Sequence, residues 1–217
     1  GNAVGWRFAA PANEKSVAIL VPEATPDHVR ILAYNLTDKP VTASMTGWEV
    51  DPGTWTLTQG TSADAEHLPA PGDALQQSTT RSLLFERSRS TEVTFAPRTT
   101  TVLELKLSKP GVPYWSRPDL GIGPDDIRRS GDRLSVTVHS LGAVDAAASR
   151  VVLRDQAGKV LATARVPALK APLDLYPKTA TVSLRLPQHS ELHGLSVSVE
   201  GAGSVPEITE NNNRVTF

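Results

Sequence analysis

The chain has 217 residues and a formal net charge of −1, from 22 lysines and arginines and 23 aspartates and glutamates. Because these charges are interspersed, they create no broad field for a phosphate backbone or an anionic lipid surface, so neither nucleic acid nor a membrane is an expected partner. The sequence has no cysteine, which excludes disulfide bonds and thiolate catalysis. No apolar run reaches the roughly 20 residues that span a bilayer.

The length fits two ordinary domains of about 100 residues each. The opening residues have neither the basic lead nor the apolar core of a signal peptide, and they lack an initiating methionine. We therefore expect residue 1 to lie within a longer natural chain.

Short runs rich in valine, isoleucine, leucine and threonine predict β-strands throughout the first half of the chain. These runs are residues 16–22, 28–36, 41–50, 53–59, 81–87, 92–96 and 99–107. In the third run Gly47 shifts the alternation by one residue, which predicts a β-bulge that turns Trp48 and Val50 toward the apolar face. Trp55 is predicted to point inward as well.

The segment 62–77 carries Pro69, Pro71 and Gly72 and has no apolar period long enough for a helix. It is predicted to be a long loop, and long loops inside compact domains are often functional or mobile. Two interpretations stay open: a contact surface for a ligand, or an exposed loop without a binding role.

A domain boundary is predicted after residue 109. Pro110 and Pro113 favour an extended, semi-rigid spacer, and the adjacent Tyr114 and Trp115 indicate that this spacer is pinned against a domain. The predicted organisation is a β-sandwich domain over 1–109, a proline-rich linker over 110–117 and a second domain over 118–217.

The second half continues the strand pattern with apolar residues at alternating positions. The runs begin at Leu120 and Ile122 and continue at 134–138, 151–153, 160–166, 179–186, 195–199 and 215–217. Gly158 can take a positive φ, so the turn 155–159 predicts a hairpin. Short strands with turns roughly every eight to twelve residues are typical of an immunoglobulin-like sandwich. We therefore predict an all-β protein of two tandem antiparallel β-sandwiches, the second immunoglobulin-like with about seven strands.

The second domain opens and closes with distinctive residues. They are Pro118, Asp119 and Leu120, the strand 134–138, the run 166–169, and an acidic, asparagine-rich close at Glu207, Glu210, Asn212 and Asn213. In these features the domain resembles CARDB, the cell-adhesion-related domain of bacteria. The resemblance implies an immunoglobulin-like module of a secreted or surface protein. At 140–142 this chain has Ser, Leu and Gly where the family usually has an Asn and Gly pair, so the glycine turn is kept without the asparagine.

The first domain has a looser likeness, carried by residues 29–35, Gly53 with Trp55, and the closing runs 95–98 and 101–105. These features are similar to the small all-β domain that follows the catalytic barrel in many bacterial glycoside hydrolases. The resemblance implies a domain that packs against a neighbouring barrel and carries no chemistry.

The sequence offers little that is typical of catalysis. It lacks a Gly-x-Ser-x-Gly nucleophile elbow, and Gly121 to Pro124 is predicted to be a turn because Asp126 stands where a dinucleotide fingerprint needs its third glycine. Asp125 and Asp126 are adjacent and cannot face each other across a cleft as glycosidase carboxylates do. The protein is therefore predicted not to be an enzyme and to need no cofactor.

The sequence offers two sets of residues that suggest a metal site. His189 and His193 share metal-binding spacing, but Pro187 and Gly194 indicate a turn, and no third ligand is evident. Calcium is the better hypothesis, since hard oxygen ligands lie close together near the end of the chain. Its weak candidate ligands are Glu207, Glu210, Asn211 and Asn213. Side chains that cap a turn explain the same residues without a metal, and we favour that interpretation.

Exposed aromatic side chains are the signal for sugar binding, because an apolar sugar face can lie on an aromatic ring. The candidates are Trp6, Tyr34, Tyr114, Trp115 and Tyr176, of which Tyr114, Trp115, Trp6 and Tyr176 are retained as possible carbohydrate-binding residues. Packing at a domain edge is the alternative for each.

The sequence thus predicts non-catalytic accessory, spacer or adhesion modules from the C-terminal part of a larger secreted or cell-surface bacterial protein, such as a glycoside hydrolase. Its expected partners are the upstream domain of the same polypeptide and a polysaccharide or a cell-surface protein. Two alternatives stay open: a carbohydrate-binding module that contacts glycan directly, and an adhesin fragment that binds proteins by strand addition.

Overall fold

The computed structural model describes residues 3–62, 67–87, 89–186, 191–201, 203 and 205–217. The prediction of an all-β protein is confirmed, and the strand pairings in the described ranges are antiparallel. The chain divides into two compact units, Gly1–Gly111 and Val112–Phe217, so the division falls within the segment predicted to be a linker. No helix in the described part has the length and apolarity to cross a bilayer.

The first unit contains two sheets. Its strands are β1 (Val4–Phe8), β2 (Val17–Ala24), β3 (His28–Asn35), β4 (Val41–Gly47), β5 (Gly53–Ser62), β6 (Leu75–Phe85), β7 (Ser90–Phe95) and β8 (Thr100–Pro110). The order is β1-β4-β7 in the three-stranded sheet and β2-β3-β8-β5-β6 in the five-stranded sheet. Strands β1 and β2 are therefore edge strands of different sheets.

Alternation between buried and partly exposed residues contributes to the core of this unit and is clearest in β4. In β4, Val41, Ala43 and Met45 are buried, whereas the serine and threonines between them are partly exposed. Strands of both sheets contribute to one cluster of buried apolar side chains. At its centre Trp55 and Phe85 pack edge to face with ring centroids 5.7 Å apart, so the inward orientation predicted for Trp55 is correct.

The bulge predicted at Gly47 is wrong. Strand β4 ends there and pairs with β1 and β7 without a register shift. Glycine is needed because a Cβ atom would lie 2.6 Å from the Val50 Cγ2 atom. The chain bends after Gly47, which buries Val50 as predicted but leaves Trp48 46% exposed, so the inward prediction for Trp48 is wrong.

Two strands of this unit differ from the predicted pattern. No strand was predicted at β1, although Val4, Trp6 and Phe8 alternate. The predicted strand 81–87 instead begins at Leu75, because β6 is an edge strand whose exposed polar residues carry no apolar period. The predicted loop 62–77 is shorter accordingly, and its residues 63–66 lie outside the described ranges.

The second unit also contains two sheets. Its strands are β9 (Leu120–Gly121), β10 (Ile127–Ser130), β11 (Arg133–Ser140), β12 (Ser149–Arg154), β13 (Val160–Val166), β14 (Lys178–Arg185), β15 (Ser196–Gly201) and β16 (Arg214–Thr216). One sheet has the order β10-β11-β14 with β9 paired to β11, and the other has the order β13-β12-β15-β16. Single 3₁₀ turns lie at Tyr114–Ser116 and Pro124–Asp126.

The apolar runs predicted for this unit form its core, which takes side chains from both sheets. The predicted hairpin is present: Gly158 has φ +82° and its N–H donates to Asp155 O at 3.0 Å. Strand β10 was not predicted, because its sequence Ile-Arg-Arg-Ser has a single apolar residue. In the described part of this unit it is an eighth strand beside the seven that the sequence predicted.

Candidate functional site

The first residues of the second unit lie against its last turn. The Ile208 N–H donates to Pro118 O at 3.0 Å, and the Ile122 N–H donates to Asn212 O at 2.9 Å. The two segments therefore pair through their backbones at both ends of the contact. We call residues 117–122 and 207–213 together the closing clamp.

Glu207 supplies a side-chain acceptor at the centre of the closing clamp. Its Oε2 atom accepts hydrogen bonds from the Leu120 N–H at 3.0 Å and from Asn213 Nδ2 at 3.1 Å. Burial raises the pKa of the Glu207 carboxyl, and the charges of Asp119 and Glu210 raise it further, while these two hydrogen bonds lower it in part. Its ionised form is thus destabilised in the folded state.

Asp119 makes the reciprocal contacts from the opening segment. It accepts from the Thr209 N–H at 3.3 Å and from Asn212 Nδ2 at 3.2 Å. Burial raises the pKa of Asp119 despite these donors. Within the closing clamp, a carboxyl group of each segment therefore accepts from a backbone N–H group of the other, while the amides of Asn212 and Asn213 donate to these same carboxyl groups.

Arg117 anchors the closing clamp to the residues before it and is only 2% exposed. Its Nη1 atom donates to Glu207 O at 3.1 Å, and its Nε atom donates to Val112 O at 2.7 Å. The guanidinium also lies 5.0 Å from the centroid of the Tyr114 ring. The sequence alone does not indicate this role for Arg117, because an arginine in a proline-rich segment is expected to be exposed to solvent.

The calcium candidates are arranged as follows. Glu207 and Asn213 hydrogen-bond to each other, the Asn211 N–H donates to Thr209 Oγ1 at 3.2 Å, and Glu210 and Asn211 are exposed. The described residues contain no group of three or more His, Cys, Asp or Glu side chains with metal-holding geometry. The carboxylate of Glu207, at the centre of the closing clamp, accepts hydrogen bonds from N–H donors.

An open cavity of about 730 Å³ borders the closing clamp, with Glu207 and Glu210 in its lining. Two further acids in the lining are already paired. Glu200 binds Arg154 at 2.5 Å, and Asp145 binds Lys170 at 2.7 Å. The positive partners of Glu200 and Asp145 reduce the negative charge that this cavity presents.

Trp6 lies in a groove of the first unit between edge strands β1 and β2. The Trp6 groove has a volume of about 540 Å³ and is lined by Trp6, Phe8, Ala12, Asn13, Glu14, Val17 and Ile19. The Trp6 ring is partly buried, with its centroid 5.8 Å from that of Phe95. The period-two alternation of Val4, Trp6 and Phe8 was the signal that could have identified this strand from sequence.

The other aromatic candidates lie in the second unit. Tyr114 is partly buried against Arg117, whereas its neighbour Trp115 is 70% exposed. Tyr176 is 72% exposed, and the neighbouring Leu173 and Leu175 are more exposed still, in the loop between β13 and β14. Sequence analysis did not identify this apolar loop, because isolated leucines between prolines show no period.

A charged network lies on the five-stranded sheet of the first unit. Glu104 accepts from Arg30 Nη1 at 2.8 Å and contacts His28 Nε2, and His28 Nδ1 lies 3.0 Å from Glu23. Burial acts to lower the pKa of His28, but its hydrogen bonds to Glu104 and Glu23 outweigh burial and raise it. The pKa of Glu104 is lowered because its hydrogen bonds to His28 and Arg30 outweigh the effect of burial.

Two of the remaining candidates of the sequence, Asp126 and His193, lie in the described part of the chain. Asp126 accepts from the Gly123 N–H at 2.7 Å and lies 2.7 Å from His139 Nε2, so it holds the turn together. His193 is exposed. His189 lies outside the described residues.

A scan against protein-family models and a search of curated proteins found no match for this chain.

Proposed function

We propose that this chain is a pair of non-catalytic modules of a larger secreted or cell-surface bacterial protein, such as a glycoside hydrolase. In this proposal the two units are tandem β-sandwiches, and the second is an immunoglobulin-like module. The first supports a neighbouring domain of the same polypeptide, and the second acts as a spacer or adhesive module toward a polymer or a cell surface.

The closing clamp is the observation that carries this proposal. A spacer must transmit tension between its two ends without unfolding. The terminal segments of such a module bear this tension first, so they must be held firmly to the rest of the domain. Here the entering segment is bonded to the last turn through Pro118, Asp119 and Leu120 on one side and Glu207, Thr209 and Asn212 on the other. Several hydrogen bonds must break together before either segment can separate, which favours a mechanical role.

The two buried carboxyl groups of the closing clamp support the same proposal. A catalytic group needs a perturbed pKa together with access to a substrate. Asp119 and Glu207 have raised pKa values, but both are occupied by hydrogen bonds to the opposing segment. We therefore assign the Asp119 and Glu207 carboxyl groups a structural role, which is to join the two segments of the closing clamp.

Force spectroscopy on the fragment, pulled by its two ends, tests the mechanical role. We expect the second unit to extend in one abrupt step, and we expect Asp119→Ala to lower the force of that step while leaving the step of the first unit unchanged. Gradual extension at low force, or an unchanged force in the variant, would contradict a spacer stabilised by the closing clamp. Sequencing the gene upstream of residue 1 tests the accessory role, for which a catalytic domain is expected.

A further inference from the structure

The Trp6 groove lies where two edge strands leave the core of the first unit open. Trp6 and Phe8 of β1 form one wall, and Val17 and Ile19 of β2 form the other. Trp6, Phe8 and Ile19 pack against the core while remaining partly exposed. The groove is thus an apolar floor that the fold itself holds in place.

Two polar side chains border this floor. The turn that carries them is fixed: the Asn13 N–H donates to Ser16 Oγ at 3.1 Å, and Asn13 Oδ1 accepts from the Lys15 N–H at 2.9 Å. These bonds use the oxygen of the Asn13 amide and leave its Nδ2 donor without a partner among the described residues. The Glu14 carboxylate is exposed and likewise has no partner within those ranges.

This combination restricts the chemistry of an occupant. A purely apolar segment would cover the Asn13 amide and the Glu14 carboxylate without replacing their hydrogen bonds to water, which is costly. A small cation gains nothing from an amide donor, and a groove of about 540 Å³ is far larger than an ammonium group. An anionic sugar would be repelled by Glu14.

A neutral sugar ring fits all of these features. One face of a pyranose presents C–H groups that can lie on the indole of Trp6. Its hydroxyl groups both donate and accept, so they can pair with Asn13 Nδ2 and with the Glu14 carboxylate. A groove of this size is within the usual range for small-ligand sites and can hold one or two sugar rings.

We propose that the Trp6 groove is a binding site for a neutral glycan, with Trp6 as the stacking platform and Asn13 and Glu14 as the groups that orient the hydroxyls. This site belongs to the first unit and does not depend on the spacer role of the second. The rings of Trp115 and Tyr176 are 70% and 72% exposed, and neither residue lines the Trp6 groove.

Affinity electrophoresis of the full chain tests the proposal, with laminarin, hydroxyethylcellulose, arabinoxylan and pullulan each cast in a native gel. We expect retardation in at least one gel. Trp6→Ala should weaken the apparent affinity about ten-fold or more, and Glu14→Ala should weaken it several-fold, because each removes a contact to the sugar. Trp6→Phe keeps an aromatic face and should restore most of the affinity.

Trp115→Ala is the matched control, since Trp115 is a more exposed tryptophan of the other unit. Its retardation should equal that of the unmodified chain. Because Trp6 also packs on Phe95, thermal unfolding is recorded for every variant, and Glu14→Ala decides the question if Trp6→Ala does not fold. Unchanged mobility in all four gels, retardation that survives both Trp6→Ala and Glu14→Ala, or loss of retardation in Trp115→Ala would each overturn the proposal.

Discussion

Glu207 illustrates how one side chain stabilises the join between distant parts of the second unit. Its Oε2 atom alone accepts from the Leu120 N–H and from Asn213 Nδ2. Replacing Glu207 by alanine leaves both donors without their acceptor. We expect Glu207→Ala to lower the free energy of unfolding of the second unit by about 1–3 kcal/mol, measured by urea denaturation.

Glu207→Gln separates the charge of this side chain from its hydrogen bonds, because the amide oxygen can accept from the same two donors. The pKa of Glu207 is raised in the folded state, so the unmodified protein loses stability as the pH rises through that pKa. Glutamine does not ionise, so the stability of the Glu207→Gln variant does not decrease with pH for this reason. We therefore expect its unfolding temperature, relative to the unmodified protein, to increase between pH 4 and pH 7; a difference that stays constant with pH would contradict the role of burial.

Gly142 is a second residue on which the opening segment depends. A Cβ atom there would lie 2.3 Å from Asp119 N and 2.5 Å from the carbonyl carbon of Pro118, and backbone atoms cannot move aside without shifting the closing clamp. We expect Gly142→Ala to destabilise the second unit by about 1–3 kcal/mol in thermal or urea unfolding.

Gly123→Ala is the control for this prediction. The nearest atom to its Cβ position is Asp126 Oδ2, at an ordinary 3.4 Å, and φ at Gly123 is −117°. We therefore expect Gly123→Ala to change the free energy of unfolding only slightly. Equal losses in the two alanine variants would show that close approach to Pro118 and Asp119 is not what requires glycine at 142.

At the level of elements, strand prediction succeeded where a strand buries one face. The run 134–138 lies in β11 and the run 41–50 covers β4, and both strands alternate between buried and more exposed residues. Strands β6 and β10 were truncated or missed because they lie at sheet edges and expose most of their side chains. Their pairing partners are set by the fold, so no local pattern of apolar residues reveals them.

The segment 67–74 depends on a contact that sequence alone does not reveal. Arg30, in the middle of β3, is 5% exposed, and its Nη2 atom donates to Pro69 O at 2.9 Å and to Ala70 O at 2.8 Å. We expect Arg30→Met to release this segment, seen as faster amide hydrogen exchange at residues 67–74.

Arg98→Met is the matched control for that variant. Arg98 pairs with Asp38 at 2.8 Å, but both side chains are exposed, and exposed ion pairs contribute little. We expect amide hydrogen exchange at residues 67–74 to be the same in Arg98→Met as in the unmodified protein. Equal exchange in the two variants would show that the buried guanidinium does not hold the segment.

At the scale of the whole chain, the prolines of the sequence predict a boundary after residue 109 and a linker over 110–117. The structure groups residues from Val112 onward with the second unit. Arg117 connects these residues to the second unit, since its buried guanidinium donates to Val112 O and to Glu207 O. Such a contact depends on three-dimensional proximity, since Arg117 and Glu207 are 90 residues apart.

This contact predicts which fragment of the chain folds best. Each unit has its own cluster of buried apolar side chains, so we expect residues 112–217 to fold alone. A fragment of residues 118–217 lacks Arg117 and leaves the Glu207 carbonyl without that donor. It should unfold at a lower urea concentration, with a loss of about 1–3 kcal/mol.

The exposed Trp115 provides the control for this last comparison. Trp115→Ala in the 112–217 fragment removes a large side chain that is 70% exposed, and it should leave the urea midpoint nearly unchanged. Arg117→Met in the same fragment should reproduce most of the loss seen in 118–217. If 118–217 were as stable as 112–217, residues 112–117 would be a linker as the sequence predicts, and the buried guanidinium would contribute nothing to the closing clamp.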